Sequence, residues 1–126
     1  MKVIPISRPA KVKLELVRSA AKWIGLQKKR INIYVVGKSS LTDQTIPYVE
    51  IKKTEQVFGC LVHTRPLEIW VVANLPPALL LGVFFHEVVH WERWKRGGSM
   101  NHRGVDRRAL SLTEKFLWGE GVPKGF

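Results

Sequence analysis

The feature that most constrains the fold is an apolar segment from Ala78 to Trp94 that has no polar face. Its apolar residues occur on all sides of a helix rather than in one stripe, so we predict a helix that other elements cover on most sides. Pro76–Pro77 suits the first turn, Asn74 is the expected cap, and Gly97–Gly98 ends the helix. The apolar stretch Leu75–Val89 is too short and too interrupted to cross a bilayer.

Two histidines and a glutamate stand inside this apolar helix, as His86, Glu87 and His90 in the pattern H-E-x-x-H. Residues four positions apart share one face of a helix, so the two imidazole rings can converge on one ion, typically zinc. The glutamate beside the first histidine can serve as general base toward water. Burying these groups is costly unless they are paired or bind a metal. That cost favours a zinc site over a helix whose histidines only hydrogen-bond internally.

A catalytic zinc site needs a third protein ligand, and the residues after the motif offer several. Asp106 lies sixteen residues beyond His90, at the head of a predicted helix, and His102 lies twelve residues beyond His90 in a loop. The connection is long enough for either residue. We favour Asp106, because a carboxylate at the head of an apolar stripe needs a partner, although it can also serve as a helix cap. His102 is the alternative, and Glu114 is a further possibility.

The remaining sequence predicts a helix, several strands and a last helix. Apolar residues at three- and four-residue steps predict a helix over about 9–27. Runs rich in β-branched residues predict strands at Ile31–Val36, Val57–His63 and Leu67–Val72, whereas Pro47 restricts Ile46–Ile51 to an edge. A last helix is expected from Val105 to Trp118.

Short connections between consecutive strands favour an antiparallel meander. We therefore expect a single α+β domain over residues 1–126. It combines an N-terminal helix, a small three- to four-stranded, largely antiparallel sheet, the buried H-E-x-x-H helix and a C-terminal helix. The strand Leu67–Val72 is expected to present an edge to which an extended substrate can add by backbone pairing.

The composition bears on partners and location. The net charge of +11 favours anionic partners such as nucleic acid or an acidic protein segment. A nucleic-acid-binding protein with a structural or vestigial metal site is therefore the alternative function, although no known nucleic-acid-binding motif accompanies the charge. The single cysteine, Cys60, and the lack of a signal-peptide pattern lead us to expect a cytoplasmic protein without a membrane segment. The sequence leaves the oligomeric state open.

Three segments resemble the ImmA/IrrE-type metallopeptidases. Ile69–Pro77 is similar to the apolar strand and asparagine-containing turn of that family, and Phe84–His90 is similar to its H-E-x-x-H helix. Asp106–Ala109 is similar to the start of its next helix, where an acidic residue stands three positions before an alanine. The resemblance covers about residues 69–123.

This resemblance implies a zincin-like fold and a zinc-dependent peptidase. By the match, His86, His90 and Asp106 are the metal ligands and Glu87 is the catalytic base. Members of that family often cleave repressors and belong to mobile genetic elements or stress responses, which implies a protein or peptide substrate. The chain also resembles the SprT-like metallopeptidases, which are associated with DNA and use a histidine as third ligand, a role that His102 matches.

Overall fold

The computed structural model describes residues 1–98 and 104–121 of the chain, and these residues form one mixed sheet with three helices. The predicted α+β class is confirmed. Six of the predicted elements are found within a few residues of their expected bounds, and a strand at the N-terminus was not predicted. In chain order the elements are β1 (Lys2–Ile6), α1 (Lys11–Trp23), β2 (Ile31–Val36), β3 (Gly59–Val62), β4 (Leu67–Val72), α2 (Pro77–Lys95) and α3 (Val105–Leu117).

The sheet has the strand order β1-β2-β4-β3. β1 is parallel to β2 and β2 is parallel to β4, while β3 is antiparallel to β4. The predicted antiparallel meander is therefore wrong for two of the three pairs. β1 is parallel to β2 because α1 joins them in a β-α-β unit, and a helical crossover joins parallel strands. β4 does not follow β2 directly in the chain: the long connection first forms β3, which pairs with β4 on the side away from β2.

The strand predicted at the edge, Leu67–Val72, lies instead between β2 and β3. Its last four residues are buried, as is typical of a central strand with a nearly continuous apolar sequence. The edge on this side is β3, whose other side pairs with no strand among the described residues. The segment Ile46–Ile51 forms no strand and belongs to the long connection between β2 and β3, where Ile46 and Ile51 are buried.

The central helix α2 is covered by α1, α3, β3 and β4, as its apolar sequence predicted. Phe84 and Phe85 are fully buried in it, so truncating either one to alanine would cost about 3–5 kcal/mol. The helix begins at Pro77 and no side chain caps it, so the predicted cap at Asn74 is wrong. A proline in the first turn lacks only an N–H that has no helical partner there. No helix in the described part of the chain is both long and apolar enough to cross a membrane.

Candidate metal centre and adjoining cleft

The two histidines of the motif converge on each other. Their Nε2 atoms lie 3.0 Å apart, and their ring centroids lie 4.6 Å apart with the rings inclined at 73°. Two nitrogens bound to one tetrahedral zinc ion at about 2.0–2.1 Å would be about 3.3 Å apart. His86 and His90 therefore fit two ligand positions of such an ion with a displacement of a few tenths of an ångström.

Asp106 lies in the first turn of α3, beside His86. Its Oδ1 is 2.7 Å from Nδ1 of His86, the ring nitrogen that faces away from His90. An ionised carboxylate only accepts hydrogen bonds, so Nδ1 carries the proton and donates it to Asp106. When His86 is neutral, its Nε2 atom has a lone pair and can accept a hydrogen bond from Nε2–H of His90. In this arrangement Asp106 contacts the first histidine at the ring nitrogen that does not face His90.

The third metal ligand is therefore not evident in the described residues. Within residues 1–98 and 104–121, no three side chains of His, Cys, Asp or Glu are grouped so that they could hold a metal ion. The alternative ligand His102 lies outside the described residues. Glu114 lies two turns beyond Asp106 on α3 and is not among the described residues that line the cleft beside His86. The assignment of Asp106 or His102 as third ligand stays a prediction.

Glu87 is almost entirely buried, with an exposed fraction of 8%. Burial disfavours the charged form and raises the pKa of its carboxyl group to about 7. A group with a pKa near neutrality can accept a proton and release it again with little energetic cost. The side chain lines the same cleft as His86 and Asp106, so a base of suitable strength lies beside the two histidines.

Gly59, the first residue of the edge strand β3, allows this strand to approach α2 closely. A Cβ atom at this position would lie 2.6 Å from Cγ1 of Val83 and 3.3 Å from Cγ of Glu87. Any side chain would therefore push the strand away from the helix at the candidate base. This role of Gly59 was not predicted from the sequence. The available signal was an isolated glycine in a strand pattern, which is typical of a close backbone approach.

An apolar cleft of about 540 Å³ opens beside His86 and Glu87. It lies between residues 56–59, the first half of α2 and the start of α3. Leu79 and Leu110, which line the cleft, are 49% and 58% exposed. A concave apolar surface that ends at a few polar groups is typical of a ligand site. Its main apolar walls are Val57, Phe58, Leu79, Val83, Ala109 and Leu110.

No family model matches this chain, and neither a curated protein nor a solved structure matches it. The resemblance to the ImmA/IrrE-type metallopeptidases therefore rests on the sequence motifs alone. The interpretation of the site depends on its own geometry, namely two converging imidazoles, a buried carboxyl group and an apolar cleft.

Proposed function

We propose that the protein is a zinc-dependent peptidase that hydrolyses a peptide bond with Glu87 as general base. The observation that carries the proposal is the 3.0 Å separation of the Nε2 atoms of His86 and His90, beside a buried carboxyl group at the end of an apolar cleft. His86 and His90 would hold the ion. The third ligand is predicted from the sequence to be Asp106 or, as the alternative, His102.

Zinc, when bound, would supply the Lewis acidity that makes water nucleophilic near neutral pH. Glu87 would take the proton from the attacking water and transfer it to the leaving amine. In the metal-free protein, burial raises the pKa of this carboxyl group to about 7, so Glu87 can hold a proton near neutral pH.

The substrate is proposed to be a protein or peptide segment bound in an extended conformation along β3, the edge strand of the sheet, whose outer side pairs with no strand among the described residues. β3 begins at Gly59, which lines the cleft, so a segment paired with the strand would run into the cleft. The apolar walls of the cleft would accept an apolar side chain next to the scissile bond. The family resemblance favours a regulatory or repressor protein of a mobile element as the natural substrate.

The test combines metal analysis with a cleavage assay on a library of internally quenched peptides. We expect about one zinc ion per chain in the wild type, lost zinc in His90→Ala, and retained zinc in Glu87→Gln. The Glu87→Gln variant should lose about 10²–10⁴-fold in kcat/KM, the usual effect of removing a general base. Lys115→Gln, which removes a charge further along α3 and outside the cleft lining, should behave as the wild type. Undiminished zinc binding in His90→Ala, or undiminished cleavage in Glu87→Gln, would contradict the proposal.

A further inference from the structure

We infer that Asp106 is a positioning residue that orients the first histidine of the motif and is not itself a ligand of the metal. This inference rests on the proposed zinc site, and it departs from the ligand set implied by the family resemblance. It depends on which ring nitrogen the carboxylate contacts. Oδ1 of Asp106 lies 2.7 Å from Nδ1 of His86, whereas Nε2 of His86 faces Nε2 of His90.

The two nitrogens of an imidazole lie on different edges of the ring and point in different directions. An ion shared by His86 and His90 would lie beside their Nε2 atoms, while the carboxylate of Asp106 lies beyond Nδ1. The ring of His86 therefore stands between Asp106 and the ion position. To bind the ion, Asp106 would first have to break its hydrogen bond with His86.

Exposure separates the two sides of the ring in the same way. The side chain of Asp106 is 86% exposed and that of His86 is 21% exposed, whereas His90 is buried. Asp106 thus contacts the ring of His86 from the solvent side, and His90 contacts the same ring from the interior. A histidine that binds a metal through one nitrogen almost always donates its other N–H to a carboxylate, a carbonyl or a water. Asp106 occupies the place of that outer partner.

The contact gives Asp106 a specific chemical role toward His86. With Nδ1 protonated and held by Asp106, His86 is fixed in the tautomer whose Nε2 can bind a metal, and the negative charge makes that nitrogen a stronger donor. Loss of such an outer partner typically weakens metal affinity 10–100-fold. A lost ligand has a larger effect and also changes the coordination geometry of the ion.

The experiment compares Asp106→Asn and Asp106→Ala with the wild type, using competition with a chromophoric chelator for zinc affinity and the visible spectrum of the cobalt-substituted protein for coordination. Asparagine keeps an oxygen that can accept the bond from Nδ1–H, but its neutral amide is a poor metal ligand. We therefore expect Asp106→Ala to weaken zinc binding 10–100-fold and Asp106→Asn to weaken it less. The cobalt band positions and intensities should stay unchanged in both variants. Lys115→Gln on the same helix should match the wild type.

Equal, severe losses in Asp106→Asn and Asp106→Ala, with an altered cobalt spectrum, would identify Asp106 as a ligand and overturn the inference. Wild-type affinity in Asp106→Ala would overturn it as well, because the contact would then have no role. Failure of the proposed function gives a different result. In that case His90→Ala would bind zinc as the wild type does, whatever the Asp106 variants do.

Discussion

Adding a single methyl group at Gly59 tests whether the edge strand must approach α2 closely at the candidate base. In Gly59→Ala the new Cβ would lie 2.6 Å from Cγ1 of Val83, far inside van der Waals contact. A valine in a helix has one strongly preferred rotamer, so Val83 has no easy alternative position. Such overpacking costs about 1–3 kcal/mol. The lower backbone entropy of alanine offsets about 0.5–1 kcal/mol, which leaves a net loss of about 1–2 kcal/mol.

The effect on activity should exceed the effect on stability. The same Cβ would lie 3.3 Å from Cγ of Glu87, so the strand and the base would be pushed apart by some tenths of an ångström. A misplacement of about 1 Å at a reacting group can cost about 10²-fold in rate. We expect kcat/KM of Gly59→Ala to fall by about tenfold to a hundredfold, with zinc content unchanged because His86 and His90 are untouched.

A double-mutant cycle with Val83→Ala isolates the clash, because this second substitution removes Cγ1. Urea unfolding of the four proteins should give a favourable coupling of about 1–2 kcal/mol, so the double variant should be more stable than the sum of the single effects predicts. Additive effects, or a Gly59→Ala variant as stable and as active as the wild type, would refute the reasoning that the close approach matters.

Three further predictions follow from burial and exposure. Because burial raises the folded-state pKa of Glu87 from 4.5 to about 7, the metal-free protein should lose about 3 kcal/mol as the pH rises through this range. Glu87→Gln should remove that loss in urea unfolding at pH 5 and pH 8, and a pH-independent difference between the variant and the wild type would contradict it. Burial raises the pKa of the Cys60 thiol from 9.0 to about 11, with smaller contributions from the nearby charges of Glu87 and Glu68. Because the thiolate is the reactive form, Cys60 of the folded protein should react with iodoacetamide at pH 7.5 about a hundredfold more slowly than Cys60 of the urea-unfolded protein. Equal reaction rates in the folded and unfolded protein would contradict the burial of Cys60. Leu110→Asp should reduce cleavage beside apolar residues at least tenfold with little change in stability. Leu117 is the control, because it lies on the same helix and is 55% exposed but is not among the described residues that line the cleft. Leu117→Asp should therefore leave cleavage unchanged.

The alternative function predicts a different behaviour. A nucleic-acid-binding protein that uses its net charge of +11 would bind DNA with an affinity that falls steeply with salt concentration. Fluorescence anisotropy of labelled DNA at two salt concentrations, with Glu87→Gln as the control, tests for this nucleic-acid-binding function beside the peptidase. A peptidase needs Glu87, whereas binding through surface lysines and arginines does not.

Local sequence patterns predicted the helices and strands whose type depends mainly on their own residues. The apolar segment Ala78–Trp94 predicted a helix that the structure places at Pro77–Lys95, and the β-branched runs predicted β2 and β4 with their observed bounds. The spacing of His86 and His90 predicted that the two rings meet, because one helical turn brings side chains four positions apart together.

Long-range arrangement was less predictable. β1 has a charged residue and a proline in five positions, and it is a strand because its backbone pairs with β2. β1 adds a parallel strand on the outer side of β2, whereas β4 lies inside the sheet because it pairs with β2 on one side and with β3 on the other. The nitrogen of His86 that Asp106 contacts depends on how α3 packs against α2, which no local pattern specifies.

The most direct test of the central claim is X-ray absorption at the zinc edge of the zinc-loaded protein. The account predicts the scattering pattern of two imidazole rings, with zinc–nitrogen distances of about 2.0–2.1 Å, and loss of one ring in His90→Ala. A spectrum with only oxygen ligands, or one that is the same in the wild type and in His90→Ala, would contradict it.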